Sequence, residues 1–116
     1  MCGIVGYIGE RDAKKVLLDG LLRLEYKGYD SAGIALRTEN GIEITKTKGR
    51  ISDLERIIGN SRIKSRCGIG HIRWATHGEP SQRNSHPHMS ADGRVTLAHN
   101  GIIENYIPLK LMLESE

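Results

Sequence analysis

The 116-residue chain has no phenylalanine and a single tryptophan, so aliphatic side chains must build the core from its 38% apolar residues. Its two cysteines, Cys2 and Cys67, form neither a CxxC motif nor a disulfide framework and read as free thiols in a reducing compartment. No run approaches the ~20 apolar residues needed to cross a bilayer. The first residues also lack the basic-then-apolar form of a signal peptide, and a cytoplasmic location is the expectation. With a net charge of only +3, basic residues such as Arg62, Lys64 and Arg66 are not interleaved with stacking aromatics. That argues against a nucleic-acid surface. The histidines His71, His77, His86, His88 and His99 lack the paired short spacings of a structural zinc site, and HEXXH is absent. No metal and no cofactor is expected. The length suits one small domain, and neither repeat, low-complexity segment nor linker interrupts it.

What is present is concentrated at the start. Met1-Cys2-Gly3-Ile4-Val5-Gly6 puts a thiol at the second position, and Met1 is normally removable before a residue as small as cysteine. Cys2 would then carry a nucleophile and a base on one α-carbon. In model compounds an α-amine and a thiol titrate within about a unit of each other, so a proton passes between them easily near neutrality. The alternative is a small packing residue, the commoner fate of a free cysteine.

The strand Cys2 to Ile8 is small or apolar on both faces, the pattern of a strand covered on both sides. Asp12 reads as the N-cap of a helix burying Ala13, Val16, Leu17, Gly20, Leu21 and Leu24 and ending near Gly28. A glycine-punctuated loop, Tyr26 to Gly33, feeds a second buried strand, Ile34 to Leu36. Asn40-Gly41 signals a hairpin to Ile42–Thr45. Ser52 and Glu55 suggest a capping box opening a short helix that buries Leu54, Ile57 and Ile58. Another strand, Cys67 to Arg73, directs Cys67, Ile69, His71 and Arg73 one way and Gly68, Gly70 and Ile72 the other, with Cys67 expected in the core. A long irregular segment follows Arg73. Arg94 to Asn100 resumes a strand, and Ile102 to Glu116 suggests a helix, with Pro108 in its first turns, that the chain leaves unclosed.

If Cys2 attacks a carbonyl, the developing oxyanion needs donors. The side-chain amide of Asn100 and the backbone N–H of Gly101 suit that task, although Asn-Gly is also a turn pair. Arg73 at a strand end offers a planar fork for an α-carboxylate, its alternative being a surface ion pair.

Met1–Gly6 resembles the opening of the class II glutamine amidotransferases, whose glutaminase domains belong to the N-terminal-nucleophile hydrolases. Tyr26–Gly33, Arg73–Pro80 and His99–Asn105 resemble, in the same order, the branch whose ammonia acceptor is fructose 6-phosphate. Phosphoribosylamine-forming and asparagine-forming relatives share the opening but differ at the second and third of these blocks. The resemblance implies an α+β, four-layer αββα sandwich, incomplete at the C-terminus, with residues 1–116 as part of the glutaminase domain and the isomerase domains absent. It implies Cys2 as nucleophile with its α-amine as base, and Asn100 and Gly101 as the oxyanion hole. Arg73, Thr76 and His77 would bind glutamine, and Trp74 would lie in the covering loop. A homodimer is implied for the complete enzyme. Lys27 stands where the family often has arginine, keeping the charge but losing the bidentate fork. The family's acidic residue for the substrate α-ammonium is not reached, so the isolated chain is expected to bind glutamine weakly and to make no amino sugar. The rival expectation is a non-catalytic regulatory or interaction module of the same fold.

Overall fold

The computed structural model describes residues 2–59, 61–74 and 79–116. Its centre is an antiparallel sheet in the order β1-β4-β2-β3, built from β1 Gly3–Ile8, β2 Ser31–Thr38, β3 Gly41–Lys48 and β4 Cys67–Arg73. Helices α1 Ala13–Leu24 and α2 Ile51–Ile58 cover one face. A two-stranded ribbon, β5 His88–Met89 with β6 Thr96–Leu97, follows later in the chain, before helix α3 Tyr106–Glu114.

Period-two alternation decides what each face of β4 meets. Gly68 and Gly70 lie under Leu17 and Leu21 of α1, where an added Cβ would fall 2.9 Å from either leucine. The helix can sit so low only because those positions lack side chains. Leu17, Leu21 and Leu54 of the helices and Ile34 and Ile72 of the sheet are buried between the two layers, each contributing about 1.5–3 kcal/mol of apolar transfer. The opposite face of β4 carries His71 and Arg73, both buried. There the Ser85–Pro87 segment crosses the sheet, held by Lys46 Nζ donating to the Ser85 carbonyl at 2.9 Å.

Several expectations are refined. Asp12 caps α1 as read, its Oδ1 accepting from Lys14 N at 3.1 Å, and a short 3-10 turn, Glu25–Lys27, carries the chain to Gly28 at φ +109°. Strand β1 is not covered on both faces among the described residues. It is an edge strand whose Val5 packs on Gly20 while Ile4 and Ile8 are exposed.

The 38–41 hairpin forms, but Gly41 has the positive φ of +109° and Asn40 does not. The turn is therefore Glu39-Asn40 closed by a glycine, not a type I′ pair. Helix α2 starts one residue before Ser52, and its cap is Asp53 Oδ2 accepting from Arg50 N at 2.8 Å, with Glu25 Oε2 taking Ile51 N at 3.0 Å. The buried stripe of α2 is Ile51, Leu54 and Ile58, and Ile57, one position off it, is exposed.

Cys67 is half-buried and faces a surface cleft at the end of the sheet, not the core. Only Thr96–Leu97 of the Arg94–Asn100 strand is paired. Helix α3 begins at Tyr106, with Pro108 in its first turn where a missing N–H is harmless, and has no buried residue. Among the described residues no helix is long and apolar enough to cross a membrane.

Candidate active site

The antiparallel pairing of β1 with β4 sets Gly3 opposite Ile72, which carries Cys2 to the end of β4 where Arg73 and Trp74 leave the sheet. The thiol sits against the backbone of Trp74. That residue's N–H donates to Cys2 Sγ at 3.4 Å, and Sγ lies 3.7 Å from its carbonyl oxygen. Cys2, Arg73, Trp74, His86, His99 and Gly101 line a cavity of about 440 Å³, within the range of small-molecule sites.

Arg73 is 6% exposed, which rules out a surface ion pair. Its Nη1 donates to the Glu79 carbonyl at 3.0 Å, tying the strand end to a residue six positions further along the chain. Trp74 lies over Gly28, whose missing side chain makes room for it: a Cβ there would come within 2.8 Å of the indole. Gly28 is thus required twice, for its positive φ and for this approach. Thr76 and His77 lie outside the described residues.

Asn100 approaches Cys2 from the other side. Its Nδ2 donates to the Cys2 carbonyl oxygen at 3.3 Å, and its Oδ1 is 2.8 Å from His71 Nε2. Gly101 follows with φ +134°, a conformation open to glycine and rarely to other residues. The amide therefore lies beside the cysteine backbone, not at its sulfur, while Gly101 reaches the cavity wall.

Behind these groups runs a histidine stack. The His71 and His86 rings lie 4.4 Å apart, as do those of His86 and His88. Burial, then the neighbouring His71, His88, Arg73 and Lys46 charges, pushes His86 down to about 4. Burial also lowers His71 and His88, so the stack is neutral near pH 7. His71 was legible in the sequence only as a residue on the Arg73 face of its strand. Its contact with Asn100 spans 29 positions and has no local signal.

A thiol near the start of the chain, a buried arginine at a strand end and Gly101 thus share one cavity, with Asn100 beside the cysteine backbone. The family model of class II glutamine amidotransferases matches residues 29–114, and the chain belongs to that family. Its curated relatives include the glutamine--fructose-6-phosphate aminotransferases [isomerizing]. It is 63% identical to that of Bacillus subtilis over 110 residues, covering 95% of this chain and 18% of the relative. With that of Thermus thermophilus it shares 57% over 115 residues, covering 99% of this chain and 19% of the relative. The chain thus spans under one fifth of the length of these relatives. Among solved structures, the glutamine phosphoribosylpyrophosphate amidotransferase from B. subtilis complexed with ADP and GMP superposes with a TM-score of 0.81. It is 30% identical over 99% of this chain and 25% of that one. The α+β, N-terminal-nucleophile fold expected from the sequence is therefore the fold of this chain.

Proposed function

We propose that residues 1–116 are part of a glutaminase domain that releases ammonia from glutamine for transfer to fructose 6-phosphate, giving glucosamine 6-phosphate in a complete enzyme. The contact of Cys2 Sγ with the Trp74 N–H in the wall of a cavity that also holds Arg73 and Gly101 carries this reading. Removal of Met1 would free the α-amine of Cys2. The thiolate would attack the side-chain carbonyl carbon of glutamine, the amine having taken the thiol proton. Asn100 and Gly101 would donate to the oxyanion, and Arg73, with Thr76 and His77, would hold the α-carboxylate.

Collapse of the tetrahedral species breaks the C–N bond, and the protonated amine supplies the proton with which ammonia leaves. Water then adds to the glutamyl thioester, returning the thiol and glutamate. Trp74 would cover the site and direct ammonia onward. Fructose 6-phosphate would be bound by isomerase domains outside this chain. A homodimer and a cytoplasmic location belong to the same proposal.

The test is covalent labelling. An electrophilic glutamine analogue should modify Cys2 and leave Cys67 unmodified, as read by peptide mass spectrometry. Retention of Met1 should abolish the adduct. Labelling of Cys67 alone, or equal labelling with Met1 in place, would overturn the proposal and favour a non-catalytic module.

A further inference from the structure

The amide of Asn100 has two chemically opposite ends, and only one can serve an oxyanion. Which end faces Cys2 is decided by a chain of contacts. The Cys2 carbonyl can only accept, so the Asn100 group 3.3 Å away must be NH₂. The other end is then Oδ1, which also only accepts, so His71 Nε2 at 2.8 Å must carry the proton. His71 is thereby assigned the Nε2–H tautomer, and its Nδ1 is bare.

The rest of the site agrees with that assignment. Nδ1 is buried and has no hydrogen-bond partner among the described residues, as fits a nitrogen that carries no proton to donate. An unpaired buried acceptor is costly, a penalty tolerated where the same ring does something the site needs. Strand β4 holds the ring rigidly: His71 is fully buried, pairs with Ile4 and Gly33 in the sheet, and stacks on His86. Asn100, by contrast, lies on an exposed segment next to a glycine, where nothing in the local backbone would keep its side chain from rotating.

We infer that His71 is a positioning residue which, through its Nε2–H, locks the Asn100 amide with its NH₂ toward Cys2. One of the two amide hydrogens is held by the Cys2 carbonyl, and the second is left for the oxyanion. Loss of the His71 donor would let the amide rotate and present a carbonyl oxygen, which repels the oxyanion. This inference rests on the proposed role of Asn100, and the experiment separates the two.

The chain with Met1 removed is treated with two reagents. Iodoacetamide alkylates the thiol by displacement at carbon and needs no oxyanion donors. The γ-semialdehyde of glutamate adds the thiol across its carbonyl and does need them. His71→Leu should weaken the aldehyde by about 10- to 100-fold, the scale of a misplaced catalytic group, with alkylation within twofold of the parent. His71→Gln, which keeps an N–H near the Nε2 position, should restore most of the aldehyde affinity. In the Asn100→Ala background, His71→Leu should have no further effect. Equal losses with both reagents, glutamine no better than leucine at position 71, or additive effects of the two substitutions would overturn the positioning role. If Asn100→Ala leaves aldehyde affinity at the parent value, the oxyanion-hole reading itself fails.

Discussion

Replacing Gly33 by alanine should disturb stability and the thiol site together. Gly33 lies in β2 between Lys46 and His71, and its backbone meets the segment that crosses the sheet. An alanine Cβ there would overlap the His86 carbonyl oxygen and approach Lys46 Cγ at 2.9 Å. The lysine stem can swing, although its Nζ is tied to Ser85. The carbonyl cannot move alone, because Ser85 and Pro87 on either side are buried.

Restoring an ordinary C···O separation of about 3.3 Å requires the segment to retreat by roughly 1 Å. Overpacking of this kind costs about 1–3 kcal/mol, and in a domain slightly smaller than this one each kcal/mol lowers Tm by about 4–8 °C. The expected fall is roughly 5–20 °C in a thermal melt followed by circular dichroism. Because His86 lines the Cys2 cavity, a displacement of that size should also slow labelling by a glutamine analogue, by up to about 100-fold. A Gly33→Ala chain with unchanged Tm and unchanged labelling rate would show that the crossing segment is not held against the sheet.

Leu21→Ala removes a fully buried side chain packed on Gly70 and should cost about 2–5 kcal/mol, read as a lower urea midpoint at constant slope. Asp12→Ala should cost about 1 kcal/mol through loss of the α1 cap, with Asp12→Asn recovering most of it. His86 titrates lower in the folded chain, at about 4, than in the unfolded chain, at about 6.5. Its contribution is therefore complete above the unfolded value and is lost as pH falls from about 6.5 to 4. Fully realised, that shift would be worth about 3 kcal/mol, and solvent screening of the partly exposed ring reduces it to about 1–2. A His86→Gln chain should show a correspondingly flatter urea-stability profile across that window, and an identical profile would refute the assignment.

The periodic elements were legible because their signals are local. Alternation in Cys67–Arg73 gave both the strand and the face carrying His71 and Arg73, and Asp12 gave the start of α1. Caps and edges were less legible. Glu25 and Asp53, not Ser52, satisfy the start of α2, a choice made by the approach of α1's end. Ile4 and Ile8 look like core residues, yet β1 lies at the sheet edge, and a strand's place in a sheet is not encoded in its own composition.

By itself, the sequence determined the candidate groups in kind: a thiol at position 2, a guanidinium at a strand end, and an amide followed by a glycine. Residue type and short-range spacing are chemistry written along the chain. Only the tertiary structure decided that Trp74's backbone would hold the sulfur, that residues 71 and 100 would touch, and which end of the Asn100 amide would face Cys2. Those contacts join positions 29 to 98 residues apart, and long-range pairing follows from how the sheet orders its strands.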